Sequence, residues 1–595
     1  MSRLLSHCFL LAVVTGGCWL PSCGIPSRDG HAAESADAKF STLLEEIWQS
    51  DLREDPLFAT STGDHRYNDR LPTVSLADSE RRHKQRAEFM TRLEKEIDRE
   101  QLSPSQRVNY HILRRQLGQD LIEFDFQSYL IPITQREGFH IEFPELPQDV
   151  PLKTTADFEN YAARLRAFSA YTDGHIELMR AGITAGQTLS AVVLEGWEKP
   201  IEAQIVKRPS LSLLYQPCKK FPSTIRESEH QRLEAEIGAA IAESVVPAYR
   251  RFRKFMVEEY VPEARGSVGA SALPRGRDFY RHRVRRFTTL DVTPEEIHQI
   301  GLTEVERIRA EMDDIISRVE FEGDFAAFTK FLREDPQFYA ETEEELLQVV
   351  SFALKKMDGK LPSLFGNLPR MPYGLKPVPD YIAPRTTSAY YQRPSGDGTK
   401  AGFFNMNTYN LKNRPLFTVE ALSFHEAVPG HHLQIALQQE IESLPNFRRY
   451  SGFTAFVEGW ALYAERLGLE AGFYQDPYSD FGRLTMEIWR ACRLVVDTGI
   501  HYFGWTRAQA ITYMTDNSAL SDHNIRAEVD RYISWPGQAL AYKMGELKIR
   551  ELRRLAEQRL GERFDLRAFH DMILGSGAVP LDVLEANAED WLDQQ

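Results

Sequence analysis

Cysteine is scarce in this chain: 5 in 595 residues, and only Cys218 and Cys492 lie in its body. That is too few for a disulfide-stapled framework; one bond between these two is possible, with nothing in the sequence to support it. Past the N-terminus no apolar run approaches the roughly 20 residues of a spanning helix, so no transmembrane segment is expected. Positive charge is outnumbered, 71 Lys and Arg against 86 Asp and Glu, for a net charge of −15. No basic stripe stands out, which argues against nucleic acid as a partner. The acidity signals solubility and says little about partners. Internal repeats and low-complexity tracts are also missing.

What is present looks like a soluble, mostly helical protein. Hydrophobic residues make up 42% and charged residues 26%, ordinary values for globular chains. The length exceeds one simple core, so two lobes are expected. The first 23 residues read as an export signal. Arg3 supplies the charge, an apolar core runs from Cys8 to Val14, and small and turn residues follow at Thr15-Gly16-Gly17 and Pro21-Ser22. Cys18 and Cys23 stand where a bacterial lipoprotein is cleaved and acylated. Cys23, preceded by Leu20-Pro21-Ser22, fits better, although Pro21 departs from the pattern. An exported protein is expected, periplasmic or anchored to the membrane through Cys23 or Cys18, with plain cleavage as the other reading.

Residues 24–38 read as a tether, 39–265 as an N-terminal helical lobe and 266–595 as a C-terminal lobe, the boundary falling in a Gly-, Arg- and aromatic-rich stretch at 266–286. Three- and four-residue apolar spacing predicts helices over 78–120, 154–182 and 226–262. Thr293-Pro294-Glu295-Glu296 is a helix start with a capping Thr, Pro in the first turn and Glu three residues after the cap; its helix should reach about Val319. Another should span 342–356. Proline and glycine are dense over 359–400, then 401–409 reads as a strand. Helices are predicted from about Val419 and over 453–471, 479–503, 506–514, 524–533, 537–560 and 579–594. The fold class is mainly α, with a small β-sheet beside the motif helix.

The most informative stretch is His425-Glu426-Ala427-Val428-Pro429-Gly430-His431-His432, followed by Glu458-Gly459-Trp460-Ala461-Leu462-Tyr463-Ala464-Glu465. Imidazoles with a carboxylate are the ligand set of catalytic zinc, and a Glu directly after the first His is where a metallopeptidase keeps its general base. The spacing departs from H-E-x-x-H. Six residues of straight helix would turn His431 about 120° away from His425 and carry it about 9 Å along the axis. His432 would face the right way but lie about 10.5 Å along. Proline removes an N–H and crowds the preceding carbonyl, and glycine opens other backbone angles, so a bulge or kink at Pro429-Gly430 is expected to return an imidazole to the ion.

Glu458, in an apolar stretch that demands a partner for a carboxylate, is the expected third ligand. Glu465, about two turns on, is a rival ligand, an acceptor for a ligating imidazole, or a surface partner of Arg466. Glu426 is the expected base. Oxyanion donors are sought among Arg493, His501, Tyr532 and Tyr542, with Asp497 four residues before His501 and within hydrogen-bonding reach on one helix face. The strand at 401–409, with Asn405, Asn407 and Thr408, is a candidate edge for pairing with an extended peptide, or an ordinary strand.

The blocks HEAVPGHHLQ, FVEGWALYAE, RLVVDTGIH and RYISWPGQALAYKMGELK together resemble the bacterial family named domain of unknown function 885. Asp55-Pro56 through Gly63 to Leu71-Pro72 fits it too, as does Phe279-Tyr280 with the Thr293 helix start. The resemblance covers nearly all of the chain after the signal. That family is grouped with the gluzincin metallopeptidases, which resemble angiotensin-converting enzyme and the oligopeptidases. It implies Zn2+ held by His425, His431 and Glu458, with Glu426 as catalyst, and His501 and Tyr542 in the places of an oxyanion-stabilising pair. HEAVPGHH departs from H-E-x-x-H, which leaves His431 and His432 both open as second ligand. The expected activity is hydrolysis of short peptides, as an oligopeptidase or a carboxypeptidase. The rivals are a zinc amidase or esterase, and a surface lipoprotein with a vestigial site.

Overall fold

Side-chain caps set many of the helix boundaries. The computed structural model describes residues 35–380, 382–385 and 387–595; the signal segment with Cys18 and Cys23 lies outside them. Ser35 caps helix α1 (Ala36–Glu54), its hydroxyl accepting from the Ala38 amide, so helix begins inside the stretch read as tether. Thr154 and Asp157 form a capping box at the head of α2 (Thr155–Ala185). Thr293 and Glu296 do the same for α3 (Pro294–Arg318), Thr accepting from the Glu amide at 3.2 Å and Glu from the Thr N–H at 2.8 Å. Thr342 caps α4 (Glu343–Asp358).

The C-terminal half supplies α5 (Val419–Glu426), α6 (His431–Glu440), α7 (Thr454–Glu470), α8 (Pro477–His501), α9 (Asp522–Ser534) and α10 (Ala541–Leu560). The chain is mainly α with one small sheet, as expected. The stretch 78–120 is two helices, Leu76–Glu96 and Pro104–Asp125, because Ser103-Pro104 starts a new one. Leu566–Gly575 is a further helix that periodicity had not singled out.

The sheet has strand order β1-β3-β2: β1 (Tyr373–Pro377) runs parallel to β3 (Gly402–Met406), and β2 (Ala389–Gln392) runs antiparallel to it. Two of the three strands therefore lie in the Pro- and Gly-rich stretch where none was predicted. Their short runs, Tyr-Gly-Leu-Lys-Pro and Ala-Tyr-Tyr-Gln, carry too little alternation to register against the flanking turn residues.

Two large apolar clusters fill the interior. One joins Phe40, Leu44 and Trp48 of α1 to Phe424, Trp460 and Ile549 around the motif helices. The other joins Phe158 and Phe168 of α2 to Ile308 and Met312 of α3 and Ile488 of α8. Both draw on residues from either side of position 265. Cys218 and Cys492 are both free and buried; the disulfide between them is not formed, and each is packed as a small apolar group. No helix among the described residues is long and apolar enough to cross a membrane.

One crossing positions the site. A Cβ on Gly545 of α10 would lie 1.8 Å from the Ala455 carbonyl of α7, and one on Gly459 would lie 2.5 Å from the Gly545 Cα. The two helices thus touch backbone to backbone. That contact brings Tyr542, one turn before Gly545, toward the face of α7 that carries Glu458.

Candidate metal centre

The motif does not form one kinked helix. Helix α5 stops at Glu426, Ala427 leaves helical space at φ −109, ψ −104, and a new helix, α6, opens at His431 after Gly430 at φ −78, ψ −126. The Val428-Pro429 peptide is cis. A Cβ at Gly430 would sit 2.0 Å from the His425 carbonyl and 2.3 Å from that of Phe424, so only glycine fits. The Trp460 indole N–H donates to the Pro429 carbonyl at 2.9 Å, and the His432 amide to the Ala427 carbonyl at 3.0 Å. The break does what was asked of a bulge: it folds His431 back toward His425, their rings 4.8 Å apart and nearly perpendicular.

Glu458 on α7 meets both rings. Its Oε2 is 3.5 Å from His425 Nε2 and 3.6 Å from His431 Nε2. One atom from each of the three residues falls within 4.8 Å of the others, a group able to hold a metal ion. Glu465 takes one of its expected roles. Its Oε1 accepts from His425 Nδ1 at 2.8 Å, and because a carboxylate only accepts, His425 carries a proton on Nδ1, which leaves Nε2 as the nitrogen a metal ion would take. Glu465 is held in turn by Arg490, whose Nη2 is 3.4 Å from the same oxygen. His432 is engaged elsewhere. Its Nε2 donates to the Met371 carbonyl at 3.0 Å and its Nδ1 meets the Tyr391 hydroxyl at 2.9 Å. Of the two imidazoles left open, His431 is the one that converges.

The electrostatics fit a cation at this point. Burial works against a proton on His425, but hydrogen bonds to Glu458 and Glu465 outweigh it and raise the imidazole to about 9. Burial likewise favours the neutral acid of Glu458, yet the two imidazoles hold it well below the usual carboxylate range. The buried Glu465 carboxylate and the part-exposed Glu458 carboxylate thus pull positive charge into the centre, and a divalent ion would replace the proton that answers them. His432 differs: burial lowers it to about 4, so it stays a neutral structural residue.

The centre opens on a cavity of about 700 Å³ whose wall includes His425, Glu426, His431, Glu458, Arg490, Arg493 and Tyr542. The Glu426 carboxylate has no hydrogen bond or ion pair among the described residues. Tyr542 stacks near His425, ring centroids 6.5 Å apart at 14°, and the Arg493 guanidinium lies 4.1 Å from the centroid of the same Tyr542 ring.

His501 is not part of this group. It is fully buried and off the cavity wall, its Nδ1 accepting from the Ala270 amide at 2.9 Å and its Nε2 donating to the Tyr532 carbonyl at 2.9 Å. Both nitrogens are consumed by backbone, so it clamps two segments together. Asp497 does not bond to it, but accepts from the Tyr280 hydroxyl at 2.6 Å and the Gly537 amide at 3.1 Å. Tyr532 is buried too, its hydroxyl accepting from Arg493 Nε at 3.0 Å and Trp489 Nε1 at 3.1 Å.

The strand expectation also changes. β3 is central and paired on both sides, and Asn405 and Asn407 donate to backbone carbonyls of the neighbouring segments. The strand beside the cavity is β2, with Ala389, Tyr390 and Tyr391 on its wall.

Residues 56–587 match the model of a family described as bacterial protein of unknown function (DUF885), and the chain belongs to that family. It is similar over 95% of its length to the whole of a solved structure, "The crystal structure of the putative lipoprotein from Colwellia psychrerythraea", at 30% identity and TM-score 0.89. A structure described as a "putative lipoprotein of unknown function from Shewanella oneidensis" shares the fold at 18% identity and TM-score 0.69, with 93% of this chain and 99% of that one covered. No curated protein matches.

Proposed function

We propose that the protein is an exported zinc-dependent peptidase of short peptides. The observation that supports this most directly is the convergence of His425, His431 and Glu458 beside a carboxylate, Glu426, that has no hydrogen bond or ion pair among the described residues. Two imidazole nitrogens and one carboxylate oxygen suit zinc and leave a position open for catalysis. The bound metal would supply Lewis acidity, bringing the pKa of a water to about 7 and polarising a carbonyl.

The chain's own residues do the rest. Glu426, on the cavity wall next to the ligand His425, takes the proton of the attacking water and returns it to the leaving amine. Tyr542 donates its hydroxyl to the oxyanion. Glu465 keeps His425 in the ligating tautomer. Among the described residues β2 pairs with β3, and its place on the cavity wall suits recognition of an extended peptide through backbone bonds, without reading sequence. A cavity of about 700 Å³ lies within the range that encloses small ligands and excludes a folded domain. Export is read from the pattern of the N-terminal segment, and the 30%-identical structure described as a putative lipoprotein supports it.

The test is Glu426→Gln, assayed with peptides of five to ten residues and with casein, alongside metal analysis. The reading expects short peptides to be cleaved by the wild type, turnover to fall by about 10²–10⁴-fold in the variant, and zinc to stay bound. Wild-type turnover in Glu426→Gln, or cleavage of casein alone, sinks it.

A further inference from the structure

In a chain of net charge −15, one wall of the metal cavity gathers positive charge. Three guanidiniums share a single carboxylate. Glu528 Oε2 meets Arg531 Nη2 at 2.9 Å and Arg493 Nη2 at 3.1 Å, while its Oε1 meets Arg136 Nη2 at 3.1 Å. All four residues line the cavity, and Glu528 and Arg493 are each 3% exposed. The one other acid on this side is Glu137, and burial with the nearby Glu142 raises its pKa, which makes it a poor counter-charge. Despite burial, Arg493 and Arg531 are held above their ordinary values by Tyr532, Glu528 and Tyr542; burial lowers Arg136, but a guanidinium does not give up its proton in a protein, so all three carry charge. Positive charge so placed is left in excess inside a cavity, an arrangement that costs free energy unless an anion joins it.

The cluster is also rigid. Arg493 packs against the Trp489 ring at 4.3 Å and the Tyr542 ring at 4.1 Å. Its Nε is spent on Tyr532, while its Nη1 has no partner although it is buried. Arg531 is steadied by Gln538 Oε1 at 3.0 Å. A planar guanidinium held this way is shaped for a carboxylate. Distance favours a group close to the cleaved bond, because the Tyr542 ring lies 4.1 Å from the Arg493 guanidinium and 6.5 Å from the ring of His425. A peptide advances roughly 3.3–3.6 Å per extended residue. A chain whose scissile carbonyl sits at the metal centre therefore reaches the arginines one or two residues later. A free amino end would be repelled there.

We propose that Arg493, Arg531 and Arg136 form a subsite for the free C-terminal carboxylate of the substrate, so that the enzyme removes one or two residues from peptide C-termini. The assignment rests on the peptidase reading above and adds the end preference.

The test measures binding in zinc-loaded Glu426→Gln, which holds peptide without consuming it. A neutral hexapeptide is titrated calorimetrically as the free acid, as the C-terminal amide, and as an amide with Glu at the last position. The free acid should bind about 10-fold or more tightly than the plain amide. Adding Arg136→Gln or Arg531→Gln should shrink that gap to about twofold while leaving the amide's Kd unchanged, which general damage to the fold would not do. Glu528→Gln should widen the gap, since it removes the internal counter-charge. Equal binding of acid and amide overturns the subsite. Full recovery by the Glu-containing amide overturns the terminal assignment in favour of an acidic side chain. Failure to bind any peptide, with no hydrolysis by the wild type, strikes the peptidase reading itself; peptides bound and cleaved without regard to their ends strike only this inference.

Discussion

His425 gives its Nδ1 proton to Glu465 across 2.8 Å, and Arg490 holds Glu465 from the far side at 3.4 Å. The tautomer of His425, and with it the nitrogen that would take a metal ion, is thereby set by a residue outside the group of three. Glu465→Gln preserves an acceptor but removes the charge, and zinc affinity should fall about 10–100-fold. Competition against a chromogenic chelator reads it. Unchanged affinity would show that the bond does not orient the imidazole.

The two neighbouring histidines separate cleanly. His431→Ala should lose the metal. His432→Ala should keep it and lose about 1–3 kcal/mol of stability, because Tyr391 and the Met371 carbonyl are left without their partner. Elemental analysis and thermal melts of the two proteins, side by side, decide the point.

Metal-free protein should show a particular pH dependence. His425 rises from 6.5 to about 9 on folding, so the stability it contributes is fully present below about pH 6.5 and is lost as pH climbs through 9. Glu458 is shifted the other way, from 4.5 downward; its contribution is present above about pH 4.5 and fades as acid protonates it. The Tm of the metal-free form should therefore fall between pH 6.5 and 9, while zinc-loaded protein, whose His425 carries no exchangeable proton on Nε2, should not follow it. In the same range zinc affinity should drop up to about 10-fold per unit of falling pH, as protons compete for that nitrogen.

Gly430→Ala places a methyl group against two helix carbonyls. It should cost about 2 kcal/mol or more and spoil metal binding together with stability. A variant that melts like the wild type and binds zinc normally would mean the break between α5 and α6 tolerates another backbone path.

Tyr542→Phe tests the donor. Its loss should lower kcat by about 10²–10³-fold with KM little changed. An effect on KM alone would make Tyr542 a contact for bound substrate.

Much of the site was legible because ligand chemistry is written in residue types. His425, His431, Glu458 and Glu426 stand out as imidazoles and carboxylates in apolar surroundings, and the Pro429-Gly430 pair announced that the helix could not run straight. His501 misled for the same reason: a histidine in a helix looks identical whether it faces a cavity or, as here, two backbone groups. Glu528 and Arg136 could not be singled out, since an arginine or glutamate in a charged helix or loop ordinarily lies in solvent. The short strands β1 and β2 were hidden among turn residues.

The order of residues by itself settled that the chain is mainly helical, where its capped helices begin, and which side chains are chemically able to hold a metal. Tertiary structure decided which of them meet. The crossing at Gly459 and Gly545 sets Tyr542 beside α7, the α5–α6 break brings His431 and not His432 to Glu458, and Arg136 and Arg493 come from distant segments to join the local pair Glu528 and Arg531. Such choices depend on distances across the fold, and local propensity and spacing carry no information about contacts between residues far apart in the chain.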